Sequence, residues 1–481
     1  MLDCIQGLYI NGEWQEGINT IKNINPSDID NCLGEVAQAS QSQVELAINV
    51  AKEAQISWEK TSLEERANFL YQIGDSLMKK SEEIGKIISL EEGKTKLEGK
   101  GEVYRSGQFF QYYAAEVLRQ IGENAASVRT GVDIEITREA IGVVGIISPW
   151  NFPIATASWK IAPALCFGNS VVWKPANITP ASAVALAKII HEHKLPKGVF
   201  NLVLGGGSDV GETIINSKSI NALSFTGSVD VGRRIACATA SNFVKCQLEM
   251  GSKNALVIAE DADLDLAVEC AITGAFSGTG QKCTASSRLI VIESIYDAFI
   301  GKMIAKMKTL KSGHCLEDGV FMGPVADAKQ FESNFKWIER AKELGAELAF
   351  GGEKLMLNKN GYYMSPTLFI DTKNEWDINQ EEIFAPLACV IKAKDLHEAI
   401  SLSNDTRFGL TSGIVTSSLK NASLFKKASK SGCVMINLPT AGTDYHVPFG
   451  GRKESSFGPR EQGSYAKEFY TVVKTTYIRP Y

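Results

Sequence analysis

Cys283 follows Gly278-Thr279-Gly280-Gln281-Lys282, a run of small and flexible residues leading to a thiol. A thiolate there could add to an electrophilic carbonyl, since glycines leave a substrate room to reach the sulfur. A cysteine met without context is more often a small buried hydrophobe, and the residues alone leave both readings open. Glu249 closes an apolar run and turns into Gly251, where a carboxylate could take a proton from water or simply be solvated. Asn151 lies between Trp150 and Phe152, with Pro149 and Pro153 outside them. Its amide could donate to a developing oxyanion or serve the turn before Pro153. Cys246 is a rival thiol, but it lies within a strand-like run that suits core packing. The histidines, His191, His193, His314, His397 and His446, show no ligand spacing apart from the first two, which fall near a helix end, and no C-x-x-C occurs. No metal is expected.

The elements that must hold these residues follow from periodicity. Apolar, β-branched runs at 141–148, 170–174, 199–205, 222–227 and 244–249 alternate with helix-length segments, one opened by Pro180 and another by Ser228. Such alternation predicts a parallel sheet covered on both faces. After Gly251-Ser252-Lys253 it resumes at 254–259, 287–292, 387–391, 413–415 and 433–437. The expected fold is α/β, with two doubly wound parallel-sheet domains meeting near residue 250 and an active site in the cleft between them. Residues 1–119 with 141–250 make the first domain and 251–459 the second. A strand pair at 126–137 around Thr130-Gly131, and a β-rich tail at 470–478 with nothing after it, suggest a small β arm that pairs with another subunit. The arm is assigned to 120–140 and 460–481. The first 120 residues are expected to be mostly helical after Leu8-Tyr9-Ile10 and a turn at Asn11-Gly12. Ser42 with Glu45, and Ser62 with Glu65, read as capping boxes. The second opens a helix with Leu63, Ala67, Leu70, Ile73 and Leu77 on one face.

Composition narrows the function. The chain has 481 residues and a formal net charge of -5, so no basic footprint for nucleic acid is present. No apolar stretch approaches the ~20 residues a membrane-spanning helix needs. Met1-Leu2-Asp3-Cys4 lacks the basic-then-apolar pattern of a signal peptide, and ten scattered cysteines fit reduced thiols in the cytoplasm.

The segment from Phe276 to Cys283 resembles the nucleophile loop of the aldehyde dehydrogenase superfamily. In the same order as that family come Pro149-Trp150-Asn151-Phe152-Pro153, Trp173-Lys174-Pro175-Ala176, Phe225-Thr226-Gly227-Ser228, Leu248-Glu249-Met250-Gly251, Glu381-Glu382-Ile383-Phe384 and Pro448-Phe449-Gly450-Gly451. The resemblance spans essentially the whole chain. It implies a Rossmann-like cofactor domain, a catalytic domain and self-association to a dimer or tetramer. It makes Cys283 the nucleophile that forms a thiohemiacetal and then a thioester, Asn151 the oxyanion donor, and Glu249 the base that activates water. A thiol esterase without net redox could use the same three residues, but would leave the cofactor features without a purpose.

Those features begin with Gly227 to Gly232, a strand-to-helix turn whose glycines would let a pyrophosphate approach the helix amino end. Gly205-Gly206-Gly207 is at most a loop on the adenine side. By resemblance, Lys174 binds the adenosine ribose, Glu382 and Phe384 the nicotinamide ribose and ring, and Trp150, Gly227, Ser228 and Gly232 also belong to the cofactor site. Ala385 replaces the family's glycine. Many NAD-preferring members carry Glu where this chain has Asn177, and a neutral residue removes repulsion of a 2′-phosphate, so NADP is favoured over NAD. The succinate-semialdehyde branch carries Arg at the position of Trp159, and some members a second Arg at that of Ser277; both are absent here. Residues 437–448 and 282–288 instead look most like the 2-oxoglutarate-semialdehyde dehydrogenases. Succinate semialdehyde or a simple aldehyde remains the alternative substrate.

Overall fold

The computed structural model describes residues 7–480; the amino-terminal residues 1–6, with the export reading placed on them, and Tyr481 lie outside it. Five parallel strands form the heart of an eight-stranded sheet, in the spatial order Lys245–Glu249, Ala222–Thr226, Val143–Ile147, Ser170–Lys174, Phe200–Leu202. They are continuous apolar runs because helices cover both faces: Val144, Ile146, Val171, Val172 and Leu223 are wholly buried. The order reverses between Val143–Ile147 and Ala222–Thr226, and at such a switch point a crevice opens beyond the carboxyl ends of the strands. Trp150, Asn151, Gly227 and Ser228 follow those two ends, while Lys174 and Glu249 are the last residues of their own strands.

The second sheet has seven strands, in the order Glu347–Phe350, Thr367–Ile370, Leu387–Ala393, Ser286–Ile292, Asn254–Ile258, Thr411–Val415, Cys433–Ile436. All its pairings are parallel except that of the edge strand Glu347–Phe350. Cys283 lies just before Ser286, at the amino end of a strand. The site therefore joins carboxyl ends of the first sheet to amino ends of the second.

The structure departs from the sequence reading in four places. The hairpin Asn19–Asn25/Asp28–Gln38 occupies a stretch expected to be helical or loop; its strands carry mixed polar residues and register shifts, which erase the alternation. The first long helix, Gln41–Trp58, is capped by Ser40 with Gln43, not by Ser42 with Glu45, because Gln43 is the residue whose side chain reaches back to the cap. Ser62 does accept from the Glu65 N–H, but Leu63 in the first turn is 37% exposed and lies off the buried face of Leu70, Ile73 and Leu77. The tail strand Thr471–Ile478 pairs within its own chain, antiparallel to Asp133–Ala140, which in turn pairs with Glu123–Ala126. Ahead of it, Ala466, Phe469 and Tyr470 sit in the core of the first sheet, and Ser456–Phe457 adds an antiparallel strand beside Lys245–Glu249. Among the described residues no helix is long and apolar enough to cross a membrane.

One buried ion pair fastens the 460s segment to the first half. Lys160, on the helix Ala155–Cys166, is fully buried and bonds Glu461 and, at 2.9 Å, Ser224 Oγ. Removing one partner of a buried pair leaves the other charge uncompensated, at a cost of about 3–5 kcal/mol. Lys160→Met is therefore expected to lower the midpoint of urea unfolding substantially; an unshifted midpoint would show that the pair contributes nothing to the fold.

Candidate active site

The thiol of Cys283 stands where two cavities meet. A cleft of about 290 Å³ is bounded by Trp150, Asn151, Gly227, Ser228, Glu249, Glu382 and Phe384. A channel of about 390 Å³ reaches the same cysteine from the other side. Phe152, Trp159 and Phe449 wall both, so an aldehyde entering by the channel would meet the sulfur with the cleft opposite.

The loop leading to Cys283 owes its shape to three consecutive left-handed residues, Gly278, Thr279 and Gly280, with φ of 59°, 56° and 67°. Thr279 pays for this conformation with strain, and its hydroxyl is tied to the Gly323 carbonyl at 3.2 Å. A Cβ on Gly280 would collide with the Ala385 carbonyl oxygen. The glycine is thus required for close backbone approach between this loop and the Glu382 loop, more than for substrate access. The Asn151 amide donates to the Gln281 carbonyl at 2.9 Å, which leaves its second N–H uncommitted, and the Asn151 carbonyl accepts from Lys94. On the far side of the loop, Asn254 donates to the Cys283 and Ala285 carbonyls at 2.7 and 2.9 Å.

Burial moves the ionisable groups toward their neutral forms. The Cys283 thiol is pushed well up by desolvation, with Glu382, Glu249 and Glu461 adding like-charge repulsion. Glu249 is also raised well above the carboxylate range by burial and by Glu461, against the opposing hydrogen bond from Ser456 Oγ at 2.5 Å. Burial takes Glu382 up to about 7, although one oxygen accepts from the Ser252 N–H. Lys174 is brought down to about 8 by burial.

The lining of the cleft suits one end of a dinucleotide, an anion beside a helix amino end and a flat ring against aromatic side chains. Ser228 makes no side-chain bond to the first turn of the helix Val229–Ser241, so amide N–H groups there are open to an anion. Thr226 Oγ1 borders the cleft, buried and without a partner. Trp150 and Phe384 pack edge to face at 5.5 Å. Gly251 leaves the space into which the Glu382 carboxylate folds, and Gly232 leaves space for Met250 Sδ, so Gly232 serves helix–strand packing. Lys174 and Asn177 lie outside both cavities. Lys174 passes beside Gly211 in the loop after Gly205-Gly206-Gly207, and Asn177 sits half-buried in the turn before Pro180.

Sequence reasoning had no role for Lys94, Glu98, Arg105, Lys282 and Gln462, all of which wall the channel. Arg105 is one charged residue among many on the helix Lys96–Val117, and nothing in its spacing marks it. Lys282 immediately precedes Cys283, but only folding places its long side chain along the channel wall.

The residue pattern of the Aldehyde dehydrogenase family matches residues 14–476. The chain is 42% identical over 477 residues to an alpha-ketoglutaric semialdehyde dehydrogenase of Bacillus subtilis, covering 98% of each protein. It is 39% identical over 478 residues to a 2,5-dioxopentanoate dehydrogenase of Saccharolobus solfataricus, again over 98% of each. A crystal structure of betaine aldehyde dehydrogenase from Staphylococcus aureus in complex with NAD+ superposes with a TM-score of 0.96 at 34% identity, over 98% of this chain and 95% of that one.

The raised thiol has a direct consequence in the ligand-free protein. Only the thiolate alkylates, so labelling of Cys283 by iodoacetamide, followed by peptide mapping, is expected to rise about tenfold per pH unit through at least pH ~9. A plateau near neutrality would show instead a thiolate already formed at rest.

Proposed function

The chain belongs to the aldehyde dehydrogenase family, and from that premise we propose that it oxidises a carboxylate-bearing semialdehyde, 2-oxoglutarate semialdehyde foremost, to the acid with NAD(P). The observation that carries the reading is the position of Cys283 at the junction of two cavities, a cleft that reaches Gly227 and Ser228 at a helix amino end and a separate channel. The substrate follows from the similarity to two proteins named for that semialdehyde.

In this reading Cys283 loses its proton to solvent, the thiolate adds to the aldehyde carbon, and the C=O electron pair moves onto the oxygen. The free N–H of the Asn151 amide and the Cys283 backbone N–H hold the resulting oxyanion, and removing one such donor costs ~100–1000-fold in rate. The chemistry a bound nicotinamide supplies is acceptance of hydride, a two-electron oxidation that leaves a thioester on Cys283. Glu249 then takes a proton from water, the hydroxide adds to the thioester carbonyl, and the acid departs as the C–S bond breaks. Since Cys283 and Glu249 must both be deprotonated to act and both are raised, turnover falls as pH drops. An esterase reading uses the same residues but leaves Trp150, Glu382 and Phe384 around an idle cleft.

We assign the cofactor contacts to Trp150, Lys174, Asn177, Gly227, Ser228, Glu382 and Phe384, with NADP preferred. The cofactor domain comprises 1–119 and 141–250, the catalytic domain 251–459, and the arm 120–140 with 460–481, with 456–457 and 460–470 packed back into the first sheet's half. Exposed Val472, Val473, Tyr477 and Ile478 on the arm strand favour self-association to a dimer or tetramer. The free cysteines suit a cytoplasmic protein.

Two measurements test this. Formation of reduced nicotinamide is followed with 2-oxoglutarate semialdehyde, succinate semialdehyde, pentanal and benzaldehyde. The first is expected to give the highest kcat/KM, and Cys283→Ala to abolish turnover on all four while still binding NADP. Equal efficiency on the uncharged aldehydes would overturn the substrate, and activity surviving in the alanine variant would overturn the mechanism. For the cofactor, Asn177→Glu is expected to cut kcat/KM for NADP by at least about tenfold relative to NAD, by placing a carboxylate against the 2′-phosphate. A wild-type enzyme more than about tenfold better with NAD would refute the preference.

A further inference from the structure

The substrate channel contains more positive charge than its own residues neutralise. Three cations, Lys94, Arg105 and Lys282, face two carboxylates, Glu98 and Glu102. Lys94 is fully engaged: its ammonium pairs with Glu102 at 2.7 Å, bonds the Asn151 carbonyl and lies 3.8 Å from the centre of the Phe152 ring. Glu98 is also occupied, with one oxygen on the Gly278 N–H at 2.7 Å and the other on the Thr95 N–H and hydroxyl at 3.0 and 2.8 Å.

Lys282 is different. It is only 8% exposed, yet its ammonium donates to neutral oxygens alone, Ser277 Oγ at 2.6 Å and the Thr273 carbonyl at 3.1 Å. Burial brings it down to about 8, with Glu98 and Cys283 opposing and Lys94 adding to the fall. A buried ammonium without a carboxylate is costly unless something arrives to pair with it. Arg105 has no ion pair among the described residues, and its guanidinium stands 5.4 Å from the Tyr445 ring. Gln462 borders the same channel at 1% exposure, and both polar atoms of its amide lack a partner. Trp159 Nε1, of another residue lining the channel, is likewise buried and unpaired. Native proteins rarely leave so many buried donors unused in one place.

We propose that Lys282 and Arg105 together bind the distal carboxylate of the aldehyde substrate, one from the nucleophile loop and one from the helix Lys96–Val117. The site rests on the semialdehyde reading above and supplies the recognition that reading lacks. Some succinate-semialdehyde members carry a second Arg at the position of Ser277, and here the Lys282 ammonium sits on the Ser277 hydroxyl, so a cation reaches this wall of the channel from a different backbone position. Arg105 offers a planar fork to the carboxylate and Lys282 a point charge with an unused donor. The aromatic rings of Phe109, Phe152, Trp159 and Phe449 pack the chain between the two ends, and Gln462 and Trp159 remain to meet a polar group along it.

The test compares kcat/KM for 2-oxoglutarate semialdehyde with that for pentanal, a ratio from which any loss of active sites cancels. Lys282→Gln and Arg105→Gln are each expected to lower the ratio at least about tenfold, and the double variant further, while Lys282→Arg keeps most of it. If the wild-type enzyme itself shows no preference for the semialdehyde, the substrate reading fails and this site with it. If the wild type prefers the semialdehyde but either glutamine variant keeps the full preference, the two-cation site alone is overturned.

Discussion

The hydrogen bond from the Asn151 amide to the Gln281 carbonyl ties the end of a strand in the first sheet to the loop that carries the thiol. Most of the site's geometry depends on it and on the backbone approach of Gly280 to Ala385. Between them they hold the nucleophile loop against two neighbours that come from different sheets. Asn254 completes the clamp by taking the Cys283 and Ala285 carbonyls. A loop with three consecutive positive φ values would not keep one shape in isolation, because each non-glycine in that region is strained. Fixing it by backbone hydrogen bonds leaves the Cys283 side chain free of structural duty.

The site's layout follows from sheet topology. In a doubly wound sheet the carboxyl ends at the switch point cannot be covered by the connecting helices, so polar and glycine residues collect there. Trp150, Asn151, Gly227, Ser228 and Glu249 all lie on that edge. The second sheet contributes its amino ends, which is why Cys283 precedes a strand while Glu249 ends one. The cleft is the seam of two edges with opposite polarity along their strands.

Much of this was legible in the chain. The parallel strands of both sheets, short Thr367–Ile370 excepted, read as apolar runs because they are buried on two sides, and the motif residues stand out where those runs stop. The hairpin Asn19–Asn25/Asp28–Gln38 was not legible, since polar side chains and bulges hide its period. Nor was the exchange of segments late in the chain, where Ser456–Phe457 and Glu461 return to the first half; short pieces of that kind carry no periodicity. Glycines invited a reading of open space, whereas Gly280 and Gly232 are there because other atoms fill the space a Cβ would take. The channel walls were the least legible. Lys282 and Arg105 belong to unrelated elements, and only folding places both around one cavity.

Burial pushes Cys283, Glu249, Glu382 and Lys282 toward neutrality, whereas nearby carboxylates hold Lys94 in its charged form against the same burial. Cys283 and Glu249 are raised and Lys282 is lowered, so the resting site stores protons on its acids and carries less charge inside than its composition suggests. That arrangement costs less in the empty protein, because isolated charges in a low-dielectric interior are the expensive state. It also makes the pattern of charge depend on what enters. An anion beside Lys282 favours its ammonium form, whereas an uncharged aldehyde leaves that buried cation as exposed to the desolvation penalty as before. Discrimination between the two substrates then follows from the charge the protein has left unpaired, without any requirement that the channel change shape.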